Sequence, residues 1–170
     1  MALTKSRYIS RQAPMKGIKA VGLAPYKESD LVVNTATGVI TLPASIKTPP
    51  AIVRLEVKAT ANNIIETGTF DENTRTNEYV GVNTFFIAGN DDLLRKDIQT
   101  DSGFLKTVFI EDYNGKIYCL GSQNGCDIMT IVGSSDTQGF TLTVNSKETQ
   151  LMYVLAPAAV TEYRAAIVSY

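Results

Sequence analysis

EDYNGKIYCLGSQNG, residues 111–125, is the stretch on which the fold turns. It reads as strand, tight turn, strand and second turn. Asn114-Gly115 is the strongest short-range hairpin signal a sequence carries, because a two-residue type I′ loop needs positive φ at both central positions. Apolar runs flank it, with Val108, Phe109 and Ile110 before and Ile117, Tyr118, Cys119 and Leu120 after. With Asn114-Gly115 as the loop, Ile110 is expected opposite Cys119, Asp112 opposite Ile117, and Val108 opposite Gly121. On the other side Phe109 faces Leu120 and Glu111 faces Tyr118. Both faces then carry large apolar groups, so the hairpin must be covered twice. The core covers one face. A helix around Leu93 to Ile98, or another subunit, is expected on the other, since leftover apolar strand surface marks an association site.

Outward from the hairpin, short strands dominate. Upstream, residues 30–34 and 39–42 form a plausible hairpin, and residues 51–60 alternate. There Ala51, Val53, Leu55, Val57 and Ala59 face one way, while Arg54, Glu56 and Lys58 face a wet side. Residues 61–78 are polar and too long for an ordinary connection, so they read as a projecting hairpin or a functional loop. A strand follows over 78–88, with Val80, Val82, Phe86 and Ala88 on its expected core face. Asn90-Asp91-Asp92 supplies a helix N-cap and first-turn acids, and Gly103 stops the run. One helix is therefore expected at about 91–101. Downstream, strands are expected over 127–132, 139–144 and 151–155, and residues 156–170 fit a short helix or a closing strand equally. Residues 1–28 mix Lys5, Arg7, Arg11, Lys16 and Lys19 with prolines and glycines and read as a basic arm. The domain expectation is thus an arm over 1–28, a β-sandwich domain over 29–155 with a projecting loop at 61–78, and a C-terminal segment over 156–170. The fold class is mainly β, an antiparallel sandwich or partly closed barrel with one packed helix.

Composition narrows the chemistry. Of 170 residues 44% are hydrophobic and 19% charged, which fits one globular domain with a proper core. No apolar run is long enough to span a bilayer, so no membrane partner is expected. The first ten residues lack a continuous apolar segment and do not read as a secretory signal. Histidine is absent, which removes the commonest general base and metal ligand. Two cysteines alone cannot close a four-ligand zinc site. Residues 1–60 carry nine basic and three acidic side chains, a net +6, while residues 61–170 carry seven and fourteen, a net −7. Such a split bears on partners: a basic arm can lie on an acidic neighbour, often another copy.

No candidate site survives. Cys119 and Cys126 lack C-x-x-C spacing and read as buried reduced thiols. Asp91, Asp92, Asp97 and Asp101 follow no calcium-loop pattern and read as capping and a solvated helix face. Glu111 and Asp112 are adjacent strand positions pointing to opposite faces, so they do not converge on a substrate. The glycines match no phosphate-binding fingerprint. No catalytic, cofactor-binding or metal residue is expected, and the chain does not read as an enzyme.

The hairpin also resembles a pattern of tailed-bacteriophage virion proteins of the tail-tube and neck-ring type. There an E-D-x-N-G-K-x-x-x-x-G-x-x-x-G hairpin precedes a D-x-x-G-[YF]-x-L-T strand, present here as Asp136, Gly139, Phe140, Leu142 and Thr143. The resemblance spans roughly residues 66–150. It implies a tail-tube-like β-sandwich with one helix, forming a six- or twelve-fold homo-oligomeric ring of the tail tube, neck or head-to-tail connector. Implied partners are further copies, neighbouring tail or neck proteins, and DNA passing through the lumen without specific binding. The implied location is the virion, assembled in the host cytoplasm. A capsid decoration or a receptor- or carbohydrate-binding β-module is the alternative, though tryptophan platforms are absent.

Overall fold

The computed structural model describes residues 17–27, 32–34, 39–42, 44–47, 50–57, 62–88, 96, 103–134, 139–149 and 152–168. Among the described residues eleven strands run in chain order: β1 (Ile18–Pro25), β2 (Val32–Asn34), β3 (Val39–Thr41), β4 (Val53–Glu56), β5 (Glu66–Asp71), β6 (Thr76–Ala88), β7 (Lys106–Asp112), β8 (Ile117–Leu120), β9 (Cys126–Ser134), β10 (Gly139–Glu148) and β11 (Tyr153–Leu155). A single helical turn, α1 (Ala44–Lys47), lies between β3 and β4, and α2 (Pro157–Ala165) follows β11. The chain is mainly β, and its sheet does not close into a barrel, which suits a sandwich-like fold.

Two layers share one continuous sheet. One holds β4, β1, β7, β8, β11, β3 and β2, and the other holds β9, β10, β6 and β5. They join at two corners, each a single residue pair: Lys106 opposite Cys126, and Val57 opposite Ile87. Pairing is antiparallel between the strands except β3 with β11, which is parallel. The sheet is thus mixed, not wholly antiparallel as the sequence suggested. A parallel neighbour needs a long crossover, and nearly the whole body of the chain lies between these two strands.

The central hairpin forms one residue out of the expected register. Val108 lies opposite Leu120, Phe109 opposite Cys119, Ile110 opposite Tyr118, and Glu111 opposite Ile117. The loop holds three residues, not two. Gly115 N–H donates to Asp112 O at 3.1 Å, and Asp112 N–H donates to Lys116 O at 3.0 Å. Gly115 takes the left-handed φ of 79°, whereas Asn114 does not have positive φ. The reason lies in Asp112: its Oδ1 accepts from the N–H groups of Asn114 (2.9 Å) and Lys116 (2.8 Å). That side chain closes an Asx turn and selects a type I turn with a glycine bulge over the type I′ loop. The slip regroups the side chains. Val108, Ile110 and Leu120 share the core between the layers, while Phe109, Ile117 and Cys119 share the core on the opposite face.

The second face is covered within the chain. Tyr163 of α2 packs edge-on against Phe109, ring centroids 5.3 Å apart. Ile40, Leu42, Ile46, Tyr153 and Leu155 complete this second core. Helix α2 forms because Pro157 pre-sets its first turn and AAVTEYRA favours helix. Ala159, Tyr163 and Ala166 fall on the face turned to the sheet. Within the C-terminal segment Pro157–Ala165 is therefore a helix, followed by a parallel bridge of Ile167 to Ile52, and the helix supplies the cover expected from the helix at 91–101. That helix lies outside the described residues, apart from Lys96 in helical conformation.

Two further expectations need correction. The supposed arm over 1–28 contains β1, a central strand that pairs with β4 on one side and β7 on the other. It is buried on both faces, so it reads as an apolar run (Ile18, Ala20, Val21, Leu23, Ala24) and not as an alternation. Residues 1–16 lie outside the described residues. In β6 the expected core face is met only in part: Val80 and Val82 are exposed and Phe85 and Ile87 with Asn83 face the core, while Phe86 is buried as expected. The cross-strand pairs Phe85–Leu142 and Ile87–Phe140 set that parity. In β4, by contrast, Leu55 and Val57 face the core as expected, although the regular strand covers only Val53–Glu56.

Candidate assembly surface

The polar stretch 61–78 is a projecting hairpin. β5 pairs with β6 in continuous register from Glu66 opposite Gly81 to Asp71 opposite Thr76, and residues 67–77 are exposed. Local chemistry closes its tip. Asp71 Oδ1 accepts from Asn73 N–H at 2.8 Å and Thr74 N–H at 3.3 Å, and Arg75 takes the left-handed conformation. Those N–H groups hold the Asp71 carboxyl below its ordinary value. At the root, side chains add to the backbone pairing of Asn63 with Thr84 and of Ile65 with Val82. Asn83 Oδ1 accepts from Ile65 N–H, Asn62 Oδ1 accepts from Phe86 N–H, and Glu66 Oε1 accepts from Met152 N–H at 2.9 Å.

The hairpin is also where apolar surface is left open. Ile65, Val80 and Val82 are between 38% and 47% exposed, and Phe70 is 56% exposed near the tip. By pairing, Ile65 lies opposite Val82 and Thr67 opposite Val80, so three of these groups form one patch on the outer face. On that face Glu78 and Lys147 form an exposed ion pair at 2.7 Å. β5 is the last strand of the sheet and pairs only with β6 among the described residues.

Beside the root, a buried carboxylate organises the second turn of the opening stretch. Glu148 accepts from Gln123 N–H at 3.0 Å and from Ser122 Oγ at 3.1 Å, and Gly121 and Ser122 N–H groups also donate to it. Gly121 and Gly125 adopt positive φ, which lets successive N–H groups converge in a nest around one anion. Burial nonetheless keeps the Glu148 carboxyl above its ordinary value. Burial does the same at Glu66, with a contribution from Glu148. Cys119 and Cys126 are free and buried, and burial beside Glu148 pushes both thiols up, so both are protonated and unreactive at neutral pH.

On the opposite layer, Arg54 grips Glu111 through Nε (3.1 Å) and Nη2 (3.0 Å), and Lys19 lies 3.6 Å from the other carboxylate oxygen. The wet side expected for Arg54 is therefore partly dry. Tyr163 Oη sits near this pair, buried and without a hydrogen-bond partner. Burial, with Glu111 adding to it, raises its pKa far above the usual phenol range.

Glu111 and Asp112 do separate: the first holds Arg54 and the second holds the turn. Asp91, Asp92, Asp97 and Asp101 lie outside the described residues. Among the described residues no three metal-ligating side chains come together, and no helix is long and apolar enough to cross a membrane. Sequence reasoning missed the Glu148 nest and the Glu66–Met152 bond. The Gly121-x-x-x-Gly125 spacing was the signal for the nest, but the acid that fills it is over twenty residues away. No protein-family model, curated protein or solved structure matches the chain significantly.

Proposed function

We propose that this chain is a non-enzymatic structural subunit of a tailed-phage virion, built to associate with copies of itself into a ring of the tail tube, neck or head-to-tail connector. The observation that carries the reading is the β5–β6 hairpin, an exposed and locally braced projection with an apolar patch and an open strand edge. The sequence pattern of residues 111–125 and 136–143 points to the same class of particle. Three buried acids of the body serve the scaffold. Glu148 holds a turn, Glu111 holds Arg54, and Asp112 sets the hairpin. The association surface moves, however, from the central hairpin to β5–β6, because α2 already covers the second face of the former.

A specific contact would bury on the order of 800 Å² on each partner. Sedimentation of the purified full chain at tens of micromolar, with electron microscopy of the same sample, is the test. Rings or stacked rings are expected. A strict monomer by both measurements overturns the reading.

A further inference from the structure

We propose that the open edge of β5 takes up, as an added antiparallel or parallel strand, the basic segment 1–16 of a second copy. This rests on the assembly reading above and names the contact within it. Among the described residues the edge is free of a second strand. In an antiparallel ladder alternate residues direct both backbone groups at the same neighbour. Ile65 O accepts from Val82 N–H at 3.1 Å, so Ile65 and, by alternation, residues 67 and 69 bond to β6. Glu66, Gly68 and Phe70 therefore turn their N–H and C=O groups to the open side. Natural edges are commonly guarded by lysine, proline or a bulge. ETGTFD has none of these, and its register with β6 is unbroken.

The charge on the edge selects the occupant. Pairing β5 with β5 of another copy would bring together two hairpins of like net charge, which is unfavourable. The hairpin over 66–78 holds four acids against Arg75. Residues 1–16 hold Lys5, Arg7, Arg11 and Lys16 with no acid. In an extended chain Lys5, Arg7 and Arg11 share one face. They join the body at Gly17, directly before β1, which is fixed at the centre of the other layer. Donor and acceptor are thus different surfaces, and a contact of that kind repeats head to tail, closing into a ring when the rotation allows.

Two full-length variants separate donor from acceptor. Phe70→Pro removes an N–H on the open side while sparing the β5–β6 ladder, since proline is tolerated on an outward-facing edge. The double variant Arg7→Glu, Arg11→Glu reverses the donor charge and leaves the sequence of the described body unchanged. Circular dichroism first checks that each keeps the wild-type β spectrum. In sedimentation, wild type is expected to associate, more weakly at high salt, and each variant alone is expected to lose association. An equimolar mixture of the two is expected to regain it, as pairs in which the intact arm of one chain meets the intact edge of the other. If both variants associate as wild type does, strand addition is wrong and the assembly reading stands. If each is monomeric and the mixture stays monomeric, the arm does not bridge two copies through β5 and the proposal fails. If wild type itself never associates, the assembly reading fails with it. Should Phe70→Pro lose its β spectrum, Gly68→Pro, on the same open side, replaces it in the same scheme.

Discussion

At position 22 an added Cβ would lie 2.6 Å from the Tyr163 hydroxyl oxygen and 3.0 Å from Ile52 Cγ2. Glycine there lets the α2 side chain lie directly on the central strand. Gly22→Ala is expected to destabilise the fold by roughly 1–3 kcal/mol, because the buried neighbours have no room to yield. Tyr163→Phe removes a hydroxyl with no partner and is expected to be close to neutral, within about 1 kcal/mol. Urea unfolding of both single variants and the double variant checks this: Gly22→Ala should cost less in the Tyr163→Phe background. Gly115 makes a different demand. It has open space around it, and only its φ of 79° resists a side chain. Gly115→Val is expected to cost roughly 1–3 kcal/mol in the same measurement, from backbone strain alone. Glu66 gives a pH signature. Its carboxyl is held above its ordinary 4.5 in the fold. The native state therefore binds its proton more tightly than the unfolded chain, and the stability tied to that proton is lost as pH rises from about 4.5 through the native value. Glu66→Gln should flatten that decline in melting temperature measured across the acidic range.

The β5–β6 hairpin and the central hairpin differ in what they hold up. Residues 67–77 bury little, so replacing 68–77 by a two-residue turn is expected to leave the melting transition nearly unchanged and to abolish association. A loss of folding would place the hairpin in the core instead. Elements of this kind were partly legible. The strands around Asn114-Gly115 and over 139–144 stood out because turn residues bracket apolar runs. The register did not, because it hangs on the Asp112 carboxylate and not on the glycine pair. β1 was hidden for the opposite reason: a strand buried on both faces has no alternation, and Lys19, Gly22 and Pro25 disguised the run. Helix α2 carries only small or mixed residues, so its period was faint. The faces of β6 were hard to assign because Val80, Val82, Phe85, Phe86 and Ile87 place apolar groups on both sides, and pairing with Phe140 and Leu142 decides where Phe85 and Ile87 go.

In the whole molecule, β1 has its partners far downstream: Leu55 and its neighbours on one edge, and residues 106–112 on the other. The first described strand to leave the ribosome is therefore held on both sides only after more than a hundred residues have been made. Until then it has no partner on its β7 side. Loop closure over such distances slows folding, and sheets dominated by distant pairs fold in milliseconds to seconds. Refolding after a denaturant jump should accordingly show β1 pairing in the slow phase, with Val21→Ala changing the folding rate and not the unfolding rate if that pairing forms at the barrier. A chain stalled before residue 106 would display the unfilled slot beside β1 to its neighbours, so crowded synthesis is the moment when this architecture is most exposed to pairing with the wrong molecule.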